Sequence, residues 1–340
     1  MWKRNQREDL LLKYFGGCDI IAEVRALTFQ QTVSDDAMMD SPLLANLLSN
    51  LDTQLLGKPR EVRLSFACVL ARGHLLLEDV PGVGKTTLAK GLAVALGLES
   101  HRIQFTADLM PSEITGSTIF ERATEQFVFH RGPLFTQIVI ADEINRATPR
   151  TQSALLEAMA ERMISIEGTS YRLDDAFTVI ATQNPAHQIG TYPLPESQLD
   201  RFSMCLSIGY PDAECEKKML ANGSPADSPR QDVKPPLAEW QRQVAAVHCS
   251  DELVDYLHRL ISGTRADPSI SLGLSPRGGL QWLAVARAWA FIQGRDHVLP
   301  DDLQDVALPV VGHKCRSTSS SSESIDQTLR RVIDSVDIYN

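Results

Sequence analysis

The feature that most constrains this chain is a switch of pattern at residues 74–96. An apolar run, His74-Leu75-Leu76-Leu77-Glu78, breaks into Asp79-Val80-Pro81-Gly82-Val83-Gly84-Lys85-Thr86-Thr87, and a helical pattern follows that stops at Gly97. A short apolar run bounded by turn residues reads as a buried strand, and apolar positions three and four apart read as a helix. A strand that feeds a helix through a glycine-rich turn is the unit of parallel sheets covered on both faces. The same turn suits an anion. Gly82 and Gly84 let successive backbone N–H groups turn toward phosphate oxygens without Cβ interference, and the positive end of the helix from Thr86 faces the same charge. In that setting Lys85 reaches the β and γ phosphates of a nucleotide and the Thr86 hydroxyl ligates Mg²⁺. Pro81, Gly82, Val83, Gly84, Lys85, Thr86 and Thr87 are therefore the nucleotide-binding candidates. Asp79 departs from the pattern GxxxxGK[ST], which has Gly at that place; its charge is expected to weaken nucleotide binding. The plain alternative for the whole segment is a strand–helix turn that binds nothing.

Four segments downstream carry related chemistry. Gln137-Ile138-Val139-Ile140-Ala141-Asp142-Glu143 is a buried strand ending in two carboxylates. Asp142 is placed near the Mg²⁺, through water, and Glu143 is placed to polarise an attacking water. Residues 177–185 form another apolar strand ending at Asn184-Pro185, where Asn184 either orients that water or simply makes a turn. Arg201 stands beside Phe202, with a surface salt bridge to Asp200 or Glu196 as the alternative to a functional role. Gly273-Leu274-Ser275-Pro276-Arg277 opens a helix, with Ser275 as cap and Pro276 in the first turn. Arg277 opposes that helix's dipole and calls for an anion, either a phosphate or a surface acid.

Further apolar runs at 103–105, 138–141, 177–182 and 204–208 alternate with helical stretches such as 151–162, which completes an α/β unit. Residues 221–236 are rich in Pro, Ser and Gly, and beyond them the pattern is helical only: 237–247, 251–262, 277–292 and 300–308. The expected organisation is an N-terminal extension (1–41, disordered), a core (42–210), a lid start and linker (211–236), a helical lid (237–314) and a Ser-rich tail with a weak helix (315–340). At 340 residues the chain has room for about two such units. Its formal net charge of −10 opposes a nucleic-acid coat. It has no run of 18 apolar residues, so no membrane span is expected, and no stretch of signal-peptide character. The six cysteines and eight histidines are scattered, without zinc spacing, and carry no assigned role.

These five elements, in this order, resemble an AAA+ ATPase and, within that superfamily, the MoxR family. The shared wording is dense: Asp108-Leu109-Met110-Pro111-Ser112-Glu113-Ile114-Thr115-Gly116, Ala141-Asp142-Glu143-Ile144-Asn145-Arg146-Ala147, Gln152-Ser153-Ala154-Leu155-Leu156-Glu157-Ala158-Met159, Ala181-Thr182-Gln183-Asn184-Pro185 and Gly190-Thr191-Tyr192-Pro193-Leu194-Pro195-Glu196. The resemblance implies a three-layer αβα P-loop core with a five-stranded parallel sheet, followed by a smaller all-α lid. It makes Gly82, Gly84, Lys85 and Thr86 the Walker A residues, Asp142 and Glu143 Walker B, Asn184 sensor 1, Arg277 sensor 2, and Arg201 the finger contacting a neighbour's ATP. It further implies Mg²⁺-dependent ATP hydrolysis in a cytoplasmic ring, usually a hexamer, that acts as a chaperone on a protein client, often with a von Willebrand factor A domain partner. Gly278-Gly279 after Arg277 departs from the family and is expected to loosen the sensor helix. Two hairpins, at 118–129 and 163–173, are implied to face the ring pore or the client, with plain edge strands as the alternative. A magnesium-chelatase-like or DNA-stimulated motor and a nucleotide-gated binding module remain alternatives. Against DNA, the first hairpin tip offers Arg122 between Glu121 and Glu125.

Overall fold

The structure is a computed structural model and describes residues 42–55, 57–184, 190–222, 235–318 and 323–338. The expectations for 1–41, for 223–234 within the linker and for Ser319–Ser322 lie outside the described residues. Helices α1 (Pro42–Gln54) and α2 (Pro59–Leu70) lead into β1 (Leu75–Glu78), α3 (Lys85–Ala95), β2 (Ser100–Gln104) and α4 (Pro111–Thr115). A hairpin, β3 (Gly116–Glu121) and β4 (Gln126–Arg131), precedes β5 (Ile138–Asp142) and α5 (Pro149–Glu161). A second hairpin, β6 (Met163–Ile166) and β7 (Thr169–Arg172), is followed by β8 (Thr178–Gln183), α6 (Glu196–Leu199) and β9 (Met204–Leu206). The remainder runs α7 (Ala213–Asn222), α8 (Leu237–Ala246), α9 (Asp251–Ala266), β10 (Ile270–Leu272), α10 (Pro276–Ile292), α11 (Pro300–Val311), β11 (Arg316–Ser317) and α12 (Ile325–Ser335).

Five strands form one all-parallel sheet in the order β2-β5-β8-β1-β9. Its central strands are buried on both faces, so alternate residues go to opposite cores. Leu75, Leu77, Ile138, Ile140 and Ile180 pack with α1, α2 and α3, whereas Leu76, Val139, Ala141, Val179 and Ala181 pack with Leu155, Leu156, Met159 and Phe202. Because β5, β8 and β1 are neighbours, Asp142, Gln183 and Glu78 end side by side. Parallel sheets place their crevice at such carboxyl ends.

The second unit is helical, as the pattern predicts, with one correction. β10 and β11 form a short antiparallel ribbon, because the loop between α9 and α10 passes close enough to pair with residues 316–317. The tail helix α12 is regular: Ser324 accepts from the Gln327 N–H, and Thr328, Leu329 and Val332 are buried. α10 runs through Gly278 and Gly279 without a break. A Cβ on them would stand 2.5 Å from Leu274 and 2.7 Å from Ile261, so they permit close packing of the helix start. Several hydrogen bonds join the units. The Gln241 amide donates to the Val69 carbonyl at 3.0 Å, and buried Lys314 donates to the Asp200 carbonyl at 3.0 Å. No helix among the described residues is long and apolar enough to cross a membrane.

Candidate functional site

The turn between β1 and α3 has the backbone that its glycines predict. Gly82 and Gly84 take φ of +88° and +95°, a region that favours glycine, and Gly84 begins α3 with no side-chain cap. Lys85 lies at the start of α3, largely buried, and donates to the Asp79 and Val80 carbonyls and to Asn184 Oδ1, the last two at 3.1 Å. Burial holds its pKa below the usual lysine range. The Asp79 carboxylate turns away from the loop. It accepts from Val80 N at 2.7 Å, Gly209 N at 2.6 Å and Ser207 Oγ at 2.8 Å, tying the loop's origin to the exit of β9. Burial works to raise its pKa, but the bonds from Gly209, Ser207 and Val80 outweigh burial and leave it below the ordinary carboxylate value.

At the end of β5, Asp142 Oδ1 accepts from the Thr86 hydroxyl at 3.2 Å and the Thr182 hydroxyl at 3.3 Å, while Oδ2 accepts from Arg102 Nε at 2.5 Å. Glu143 leaves the strand with φ of +54°, and its N–H donates to Thr182 Oγ1 at 3.0 Å. Its carboxylate accepts from Arg146 at 2.8 Å, Gln104 at 3.1 Å and Asn184 Nδ2 at 3.1 Å. The Arg146 bond is the chief reason its pKa lies below the usual range. Asn184 is more than a turn residue. It bridges Lys85 and Glu143, and its carbonyl accepts from Asn145 Nδ2 at 3.0 Å. Pro81, Gly82, Gly84, Lys85, Thr86, Thr87, Asp142, Glu143, Thr182 and Asn184 line one cleft of about 320 Å³. Val83 is instead buried in the core.

Neither Arg201 nor Arg277 lines that cleft. The surface salt bridge that was the alternative for Arg201 does not form among the described residues: Glu196 pairs with Arg316 at 2.7 Å, and Asp200 accepts from the Ser275 hydroxyl at 3.0 Å. Arg201 donates instead to the Leu156 carbonyl, and its Nε is buried with no partner among the described residues. Arg277 is exposed in the first turn of α10, two residues after the Ser275 that binds Asp200. Between them lies Lys314, 1% exposed, donating to Phe202 O at 2.5 Å and Gln281 Oε1 at 2.7 Å. Burial lowers its pKa to about 8, with Asp200 opposing.

Sequence reasoning passed over Arg102, Gln104 and Arg146, which contribute a direct bond to Asp142 or Glu143. Arg146 has a local signal, since it stands three residues after Glu143. Arg102 and Gln104 have none, because their role depends on β2 lying next to β5. The two hairpins form as expected, with Gly116–Glu121 paired to Gln126–Arg131 and Met163–Ile166 to Thr169–Arg172. Phe129 and Tyr171 stack at 4.4 Å between them, and Ile119, Phe120 and Phe127 are exposed.

Residues 74–204 match the ATPase family associated with various cellular activities (AAA), and residues 262–333 match the AAA lid domain. The chain is 43% identical over 278 residues to the uncharacterised protein YeaC of Bacillus subtilis, a match that spans 80% of this chain and 87% of that one. It is 38% identical over 281 residues to the chaperone MoxR1 of Mycobacterium tuberculosis, spanning 76% and 72% respectively. The crystal structure of a candidate ATPase from Cytophaga hutchinsonii is similar with a TM-score of 0.79 at 34% identity, covering 87% of this chain and 94% of that one.

Proposed function

Because the chain belongs to the MoxR family of AAA+ ATPases, we propose that it hydrolyses ATP with Mg²⁺ at the boundary between copies in a ring, and so remodels or activates a protein client. The observation that carries this is the meeting of Lys85, Thr86, Asp142, Glu143 and Asn184 from three distant stretches in one cleft. The Thr86 hydroxyl and the Asp142 carboxylate, 3.2 Å apart, are the hard oxygen donors that Mg²⁺ takes. When bound, the ion neutralises charge on the β and γ phosphates. Asp142 already accepts three hydrogen bonds, which favours contact with the ion through water.

Lys85 holds the phosphates, and Glu143 with Asn184 orients a water against the γ phosphorus. The P–O bond to ADP breaks as the bond to water forms, and the water's proton passes to Glu143. Arg201 stands off the chain's own cleft, so in the proposed ring it completes a neighbour's site, while Arg277 keeps the sensor 2 role that the resemblance implies. An arginine supplied in this way is worth ~10³–10⁵ in rate. The description of MoxR1 as a chaperone supports a protein client. A hexamer, a cytoplasmic location and a von Willebrand factor A domain partner belong to the same proposal. A second reading, a nucleotide-gated binding module with little turnover, is favoured by the three donors that hold the Glu143 carboxylate.

Phosphate release, measured against protein concentration, tests both. Turnover should rise as copies associate, and Lys85→Ala should abolish ATP binding. Arg201→Ala and Glu143→Gln, each inactive alone, should recover activity when mixed, since intact halves then meet. Binding without turnover at any concentration would favour the second reading, and retained affinity in Lys85→Ala would refute the cleft assignment.

A further inference from the structure

Asp142 is asked to serve two cations. Its Oδ1 faces the Thr86 and Thr182 hydroxyls, and its Oδ2 accepts from Arg102 Nε at 2.5 Å. Arg102 is the third residue of β2, and β2 runs parallel to β5 with Arg102 opposite Ile140. From this edge strand the side chain reaches the end of β5. It also lines the cleft with Lys85, Thr86, Glu143 and Asn184. The Asp142 side chain is 4% exposed and that of Arg102 50%, so the guanidinium pairs at one end while the rest of its fork is open to the cleft. Its two terminal nitrogens make no hydrogen bond or ion pair among the described residues. A guanidinium keeps its charge at every working pH and offers several donors in one plane, an arrangement suited to phosphate oxygens.

We propose that Arg102 is a nucleotide-phosphate contact and that its bond to Asp142 sets how much Mg²⁺ the site requires. The proposal rests on the ATP-binding reading above. Arg102 draws on the same carboxylate as the ion and adds a like charge beside it, so it weakens Mg²⁺. Toward the phosphates it adds attraction, and this matters most where no ion is present to neutralise them. Its loss should therefore move the two affinities in opposite directions, which general damage to the site would not do.

The test is binding of a fluorescent ATP analogue to the full chain, titrated first in EDTA and then with increasing Mg²⁺, for wild type, Arg102→Gln and Arg102→Lys. Arg102→Gln should bind nucleotide about tenfold more weakly in EDTA, the scale of one charge-assisted bond. It should also reach half-saturation at several-fold lower Mg²⁺. Arg102→Lys, which keeps the charge, should fall between Gln and wild type in EDTA. Unchanged affinities, or shifts of both affinities in the same direction, would overturn the proposal. Far-UV dichroism and melting temperature verify that each variant folds, and a variant that is folded yet weaker on both axes counts against it. Failure of the wild type itself to bind nucleotide would instead refute the ATP-binding reading on which the proposal stands.

Discussion

Replacing Lys314 with methionine removes a buried cation while keeping most of its volume. Lys314 Nζ donates to the carbonyls of Phe202 and Asp200 and to Gln281 Oε1, and lies 3.7 Å from Asp200 Oδ1. Breaking a buried pair from one side costs about 3–5 kcal/mol. Asp200 keeps Ser275 and its carboxylate is 22% exposed, which puts the loss near the low end, about 3 kcal/mol. The pH dependence is more diagnostic. Burial lowers the folded pKa from 10.5 to about 8, so between these values the unfolded chain holds the proton that the folded chain has released. Wild-type stability therefore gains from this group as pH rises through that window, by about 2 kcal/mol between pH 8 and 9.5. The methionine variant lacks the gain, so its deficit against wild type should widen by that amount. The buried Cys68 and Cys315 thiols, both raised to about 12, titrate in either protein and largely cancel in the difference. Urea unfolding followed by tryptophan fluorescence at pH 7.5, 8.5 and 9.5 measures it. A deficit that stays flat across the three would refute a charged, buried Lys314.

Two further outcomes concern groups outside the cleft. His74 and His313 are buried and neutral, with burial pressing their pKa values from 6.5 to about 4 and about 3. Protons taken up only by the unfolded chain should lower stability by about 3 kcal/mol between pH 6.5 and 5, and His74→Gln should flatten that slope; an equal slope in the variant would contradict the assignment. Asp79→Asn should destabilise by about 2 kcal/mol, because an amide cannot accept all three donors. If Asp79 instead opposed the nucleotide, the same variant would gain ATP affinity at unchanged stability, and isothermal calorimetry beside a thermal melt separates the two.

What could be read from the sequence follows physical lines. The runs at 75–77, 138–141 and 178–182 were legible because a strand buried on both faces must be apolar throughout. β2 was caught only at its end, since Ser100, His101 and Arg102 lie on an exposed sheet edge and carry no apolar signal. β10 and β11, three and two residues long, are too short for any period to appear. Lys85, Thr86, Asp142 and Glu143 were legible because fixed spacing along one strand–turn–helix or one strand end imposes their geometry. Partners were not. Asp79 finds Ser207 and Gly209, Lys314 finds Phe202, and Asp200 finds Ser275, all at separations over which local pattern says nothing. The same division runs through the candidate base. The position of Glu143 follows from the end of β5, but its basicity does not: Gln104 arrives from β2, Asn184 from just beyond β8, and Arg146 from the turn that follows β5. Each hydrogen bond to the carboxylate lowers its affinity for a proton, so a chain with the same Asp142-Glu143 pair and a different residue at 104 or 146 would hold a base of different strength. The spacing of the motif thus sets where the proposed base stands, and the order of the strands decides how readily it would take a proton.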